Sequence, residues 1–170
     1  MIPNLISLSR ILLILPIIFC IIINHIYLAL VIFLIASFTD FLDGFIARRL
    51  KQESVLGENL DLLADKIFVS SLLIFISFHF DNFIFLIMTI LIIAREISIG
   101  SLRQYLLETK KEKTVKVNFF GKFKTFFQIF SIGTAMIFLD TKFVSLVEVV
   151  VIIAAILSWL SLINYSYVKS

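Results

Sequence analysis

Four aspartates, Asp40, Asp43, Asp61 and Asp65, interrupt a chain that is otherwise nearly continuous hydrocarbon. They lie in Asp40-Phe-Leu-Asp43-Gly44-Phe-Ile-Ala47-Arg48 and, after eight intervening residues, in Gly57-Glu-Asn-Leu-Asp61-Leu-Leu-Ala-Asp65. An ionised carboxylate at the centre of a membrane helix costs roughly 2.5–3.5 kcal/mol on insertion scales. Four in one place need a partner that offsets that cost. Hard divalent cations prefer carboxylate oxygens and have the right chemistry. Asp40 and Asp43 are three residues apart and Asp61 and Asp65 four apart, so on helices each pair shares a face. Gly44, Ala47 and Arg48 continue the first face, and Gly57 extends the second. The small residues leave room for a ligand close to the backbone, and the fork of donors on Arg48 suits a phosphate. Two carboxylate pairs facing each other would build a two-metal site that clamps the attacking and leaving oxygens of a displacement at phosphorus.

A second polar group follows. Arg95 and Glu96 come after twelve apolar residues, Phe83 to Ala94. On a helix starting near Asn82, Arg95 lies roughly 20 Å along the axis, and Arg103 roughly 80° further around it, so both can point into one cavity. Gly121-Lys122-Phe-Lys124-Thr125 opens a later apolar segment with two more cations. Arginines and lysines gathered near a metal site suit an anionic, water-soluble substrate. Lys110, Lys111, Lys113 and Lys116 read instead as side chains reaching lipid headgroups.

The pattern D-x2-D-G-x2-A-R-x8-G-x3-D-x3-D, eight fixed residues over 26 positions, is the signature of the CDP-alcohol phosphatidyltransferase family, which the chain therefore resembles. The opening Ile2-Pro3-Asn4-Leu-Ile-Ser7-Leu-Ser-Arg10 resembles the branch of that family whose acceptor is glycerol 3-phosphate. So do Ala94-Arg95-Glu96, Leu102-Arg103 and Gly121-Lys122-Phe-Lys124-Thr125-Phe-Phe-Gln128, and the likeness covers nearly the whole chain. Ser7 stands where that branch commonly has Thr. Leu62 stands where it usually has Pro, a change that a helix tolerates.

The resemblance implies an integral membrane enzyme that displaces CMP from CDP-diacylglycerol with an alcohol. It implies two divalent cations, Mg2+ or Mn2+, on Asp40, Asp43, Asp61 and Asp65, with Asp65 doubling as general base. Gly44, Ala47, Arg48 and Gly57 would bind the CDP moiety. Arg95, Arg103 and Lys122 would hold the phosphate of the acceptor, with Lys124 and Ser7 as further candidates. A homodimer with one site per protomer is also implied. Other acceptors within the family are phosphatidylglycerol, an inositol phosphate and serine; the cation cluster favours a phosphorylated one. A small cation transporter is a reading from a different class. Against it stand the clustering of the acids at one face and the lack of evident charge on the opposite halves of the helices.

These residues need a membrane scaffold to position them. The 170 residues are 61% hydrophobic, with a mean hydropathy of +1.10, which fits a polytopic membrane protein. Five Gly and two Pro leave little material for linkers, so a single domain over 1–170 is expected, with no internal repeat. Six apolar segments, near 5–24, 27–49, 59–79, 82–107, 120–139 and 144–167, predict an all-α bundle of six transmembrane helices. The first part of the chain could lie along the interface ahead of the first helix. Arg10 inside the first segment, and no small-residue cleavage site after it, argue for a retained helix over a signal peptide.

With six spans, fourteen of the fifteen Lys and Arg residues share one side and only Lys142 is opposite. That bias predicts that the carboxylates face the cytoplasm, and the resemblance implies that the membrane is a bacterial inner membrane. Nine of the twelve acids share that side, so it is no simple basic patch. The net charge of +3 suits anionic lipid, and no aromatic-basic module points to nucleic acid. His25 and His79 read as interfacial polar residues, Cys20 as apolar filler, and Trp159, Tyr165 and Tyr167 as interface anchors.

Overall fold

The computed structural model describes residues 2–50, 55–108, 119–138 and 141–167. Each of the six apolar segments is a helix: α1 (Ile2–Ile22), α2 (Ile26–Leu50), α3 (Val55–His79), α4 (Phe83–Glu108), α5 (Phe119–Phe138) and α6 (Val144–Tyr167). The described residues include no strand. Helix is already continuous from Ile2, so the opening residues are the first turns of α1. Phe83–Leu102 and Val144–Ile163 are each 20 apolar residues long, enough to cross a hydrocarbon layer of roughly 30 Å. Leu8–Ile22, Ile26–Thr39 and Phe123–Phe138 are shorter apolar stretches.

The helices pack as two hairpins, α1 with α2 and α5 with α6. α3 lies against α1, α4 and α5, and α4 closes on α6. The interior is made by Ile17, Ile21, Phe33, Leu72, Leu73, Ile76, Ile132, Val147 and Val151, all essentially inaccessible. Cys20 is buried among them as a free thiol, in keeping with its expected role. The outward faces carry Leu12, Leu15, Phe19, Phe38, Phe78, Phe83 and Ile156, an apolar exterior on the scale that marks a lipid-facing surface.

Two close approaches set the geometry beneath the acids. The rings of Phe33 and Phe68 stack at 5.8 Å and 6°, tying α2 to α3. Gly133 on α5 has the side chains of Leu30 and Phe33 3.8 Å from where its Cβ would be, so α5 fits closely against α2. Asp40 follows Phe33 by about two helical turns and Asp65 precedes Phe68 by about one. The α2 and α3 acids therefore share the end of the molecule beyond this stacked pair.

The turns at the opposite end are closed by short polar side chains and backbone bonds. Asn24 sits at φ 61° and His25 N–H donates to the Cys20 carbonyl at 2.8 Å, a six-to-one bond that ends α1 in a left-handed cap. Asp81 takes φ 48° after α3, and the Asn82 side chain accepts from Phe85 N–H at 2.8 Å to start α4. Asn82 Nδ2 also donates to Glu148 Oε1 at 3.0 Å. This corrects the expectation that the opposite halves of the helices lack charge: Glu148 lies in the second turn of α6, and Asn82 provides its hydrogen bond. His79 stacks on Phe75 and meets Phe80 edge-on, an aromatic role that fits its expected place at the turn.

Candidate active site

The α2 acids come first in the chain. Asp40, Asp43, Gly44, Ala47 and Arg48 all lie on the continuous helix α2, so the spacing that puts them in phase is real in the backbone. Their side chains are outside the described residues, as are those of Ser7, Arg103 and Lys122. On α3, Gly57, Asp61 and Asp65 follow one another at one-turn intervals along the same helix. Gly57 is half-buried, and Leu62 continues the helix with its side chain outward, as expected for the change from Pro.

Asp61 is paired across the molecule with Arg10. The Arg10 guanidinium, 1% exposed, donates through Nη2 to Asp61 Oδ1, an ion pair between α1 and α3. Removing one partner of a buried ion pair typically costs about 3–5 kcal/mol, because a charge is left without compensation. Asp65, one turn on, lies within electrostatic reach of Arg10, Lys124, Glu96 and Asp61. The α3 acids are therefore enclosed by charge from α1, α4 and α5.

Beside them is a second network, centred on Glu96. Lys124 of α5 donates to Glu96 Oε1, as does Arg95 Nη1 at 3.0 Å, and Gln128 Nε2 approaches the same oxygen at 3.5 Å. Arg95 also reaches α6: its Nε donates to the Ser158 carbonyl at 2.8 Å and its Nη2 to Ser161 Oγ at 3.0 Å. Gln128 Nε2 donates to Ser158 Oγ at 3.0 Å, and Lys66 of α3 donates to the Glu96 carbonyl at 3.3 Å. Gly100 makes room for this last contact, since a Cβ there would sit 3.3 Å from Lys66 Nζ.

Arg95 is 4% exposed, and its nitrogens bond to Glu96 and to α6. Lys124 does lie beside the acids, with Glu96 between it and Arg95. Arg10, Gln128, Ser158 and Ser161 join these networks although sequence reasoning gave them no role, and Glu96, noticed beside Arg95, lies at the centre of the second one. Arg10 and Gln128 each left a signal, a polar side chain in an apolar helix that has to find a partner. The Trp159 indole nitrogen is buried and has no hydrogen-bond partner among the described residues.

The donor set suits divalent cations: two α3 carboxylates one turn apart, on the face that Arg10 already supplies with positive charge, together with two more acids in phase on α2. Among the described residues no three His, Cys, Asp or Glu side chains form a metal cluster, and the side chains of Asp40 and Asp43 lie outside that set.

Apolar helices with acids in helical phase and buried cations beside them fit a membrane protein with a polar site at one end. The family model for CDP-alcohol phosphatidyltransferase matches residues 1–163, and the chain belongs to that family. Divalent cations serve the family's reaction. The chain is similar to several curated relatives named CDP-diacylglycerol–glycerol-3-phosphate 3-phosphatidyltransferase. That of Wigglesworthia glossinidia brevipalpis is 34% identical over 146 residues, covering 85% of this chain and 80% of the relative. That of Sodalis glossinidius is 35% identical, covering 80% and 75%. That of Haemophilus influenzae is 35% identical, covering 82% and 75%.

Proposed function

We propose that this protein transfers the phosphatidyl group of CDP-diacylglycerol to glycerol 3-phosphate, giving phosphatidylglycerophosphate and CMP. The observation that carries this reading is the position of Lys124. Its ammonium pairs with Glu96 and bears electrostatically on Asp65, which supports an acceptor whose phosphate rests on Lys124 with its hydroxyl toward the carboxylates. The names of the similar relatives support the same donor and acceptor.

In this mechanism Asp40, Asp43, Asp61 and Asp65 hold two divalent cations, Mg2+ or Mn2+. When bound, these supply positive charge for the diphosphate and lower the pKa of the acceptor hydroxyl. Arg48 holds the diphosphate through its paired donors, and Gly44, Ala47 and Gly57 leave space for the cytidine. The Asp65 carboxylate takes the proton of the acceptor hydroxyl. The hydroxyl oxygen displaces CMP in line at the phosphorus attached to diacylglycerol. Lys124, with Lys122, Arg103 and Ser7, binds the acceptor's phosphate. Arg95, fixed on α6, adds positive potential from behind.

The same reading takes the chain as a single catalytic domain of six membrane-spanning helices in a bacterial inner membrane. The acids face the cytoplasm and two copies associate. The apolar exteriors of α4 and α6 support membrane residence.

The test is CMP release by the purified protein in detergent with CDP-diacylglycerol, Mg2+ and one acceptor at a time. Release with glycerol 3-phosphate, absent with glycerol or serine and lost in Asp65→Asn, is the expected result. Release with an inositol phosphate or phosphatidylglycerol instead would move the acceptor within the family. Cation uptake by proteoliposomes without CMP release would overturn the enzymatic reading.

A further inference from the structure

A carboxylate at the centre of a cation cluster works against binding a phosphate there. It repels the ligand and takes up the donors. Glu96 nonetheless stands between Lys124 and Arg95, and its Oε1 is the atom on which both converge. One carboxylate therefore offsets half of the charge of these two cations, and an arriving anion must compete with Glu96 for Lys124.

The two cations are tethered differently. Arg95 is 4% exposed and clamped to α6 by the Ser158 carbonyl at 2.8 Å and Ser161 Oγ at 3.0 Å. Its planar fork is committed to these partners. Lys124 carries a compact ammonium on a four-carbon stem, is 14% exposed, and is held through its tip by Glu96, itself 12% exposed. Its charge already reaches Asp65 on the neighbouring helix. Glu96, by contrast, has supports that do not depend on Lys124: Arg95 and Gln128 contact its carboxylate, and Lys66 holds its backbone carbonyl at 3.3 Å. One member of the pair can move while the other stays.

We propose that Glu96 is an internal stand-in for the acceptor's phosphate, holding Lys124 while the subsite is empty and yielding it when a phosphate arrives. This rests on the reading that the acceptor is phosphorylated. Glu96 thereby sets a charge threshold. A phosphate ester carries close to two negative charges near neutral pH and outcompetes a single carboxylate for Lys124. Neutral polyols do not displace it.

Glu96→Gln keeps the shape and an acceptor oxygen but removes the charge. The KM for glycerol 3-phosphate is expected to fall about three- to tenfold without a rise in kcat, and inorganic phosphate is expected to inhibit at correspondingly lower concentration. A raised KM, or unchanged inhibition by phosphate, overturns the inference and leaves Glu96 as a fixed support for Lys124. In a Lys124→Gln background, adding Glu96→Gln is expected to change KM by less than twofold. An equal fall in both backgrounds would overturn exchange in favour of a general field effect. Should Glu96→Gln not fold, Glu96→Asp withdraws the carboxylate by one methylene and is expected to lower KM about twofold; a rise there overturns the inference too. Wild-type protein assayed in parallel separates the two levels of failure. CMP release with glycerol 3-phosphate but KM shifts of the wrong sign overturns only the role of Glu96. Release solely with an unphosphorylated acceptor overturns the acceptor assignment and this inference together.

Discussion

The two ends of the helix bundle solve the same problem by opposite means. At one end the turns are closed locally. Asn24 takes a left-handed conformation, Asn82 caps α4, and Thr141 Oγ1 donates to the Phe138 carbonyl at 2.8 Å. A cavity of about 500 Å3 there is bordered by Asn24, His25, Tyr27, Phe80 and Thr141, with no Lys, Arg, Asp or Glu among the described residues of its wall. At the other end the polar bonds run between helices: Arg10 to Asp61, Lys124 to Glu96, Lys66 to Glu96 and Arg95 to Ser158. Caps terminate a helix largely within its own turn, although Asn82 also donates to Glu148 of α6. Charges shared among five helices lower the stability of the whole if one is lost, yet they arrange several functional groups at once. Chemistry belongs where the second kind of bonding is found.

Substitutions at the two ends should therefore separate activity from stability. Asp65→Asn is expected to lower CMP release by at least about a hundredfold, the usual scale for loss of a general base, with thermal unfolding little changed. Removing divalent cations with a chelator should abolish release just as fully, and adding Mg2+ should restore it. Arg10→Gln removes the ion pair between α1 and Asp61. A loss of about 3 kcal/mol is expected, below the top of the range because Asp61 is 40% exposed and can turn to water; chemical denaturation in detergent would measure it.

At the opposite end, Asn82→Ala removes the α4 cap and the bond to Glu148. It should cost about 1–2 kcal/mol while CMP release per folded molecule stays at the wild-type level. Asn24→Gly is the smallest expected change, within about 0.5 kcal/mol, because Gly adopts the same positive φ without strain. If Asn82→Ala were to lower activity as strongly as Asp65→Asn, the contrast between the two ends would be wrong.

The helices were legible because a membrane leaves one strong signal, apolar length, and the six segments emerged within a few residues of their observed limits. The phase of the acids was legible too, since spacing along one helix is a local property. Which side chains meet across helices was not. Arg10 and Asp61 are 51 residues apart, and nothing in either neighbourhood names the other. Arg95 was expected to turn toward the substrate because its type and depth fit that role. Besides Glu96 its partners lie on α6, where Ser158 and Ser161 stand in an apolar stretch with nothing to link them to Arg95. Glu96 was noticed beside Arg95, but its place at the centre of the network depends on α5 and α6 closing over α4, which periodicity does not encode.

The bond from Arg95 to Ser158 has a consequence for how this protein can vary over time. The acceptor is a main-chain oxygen, which every residue type carries, so substitution at position 158 does not delete it. α6 can then drift through many apolar sequences and still grip the arginine, provided the helix keeps its register against α4. Relatives that share the acid motif are expected to diverge most in this helix. A chimera with a foreign α6 of matching length should keep more activity than its low sequence identity would suggest.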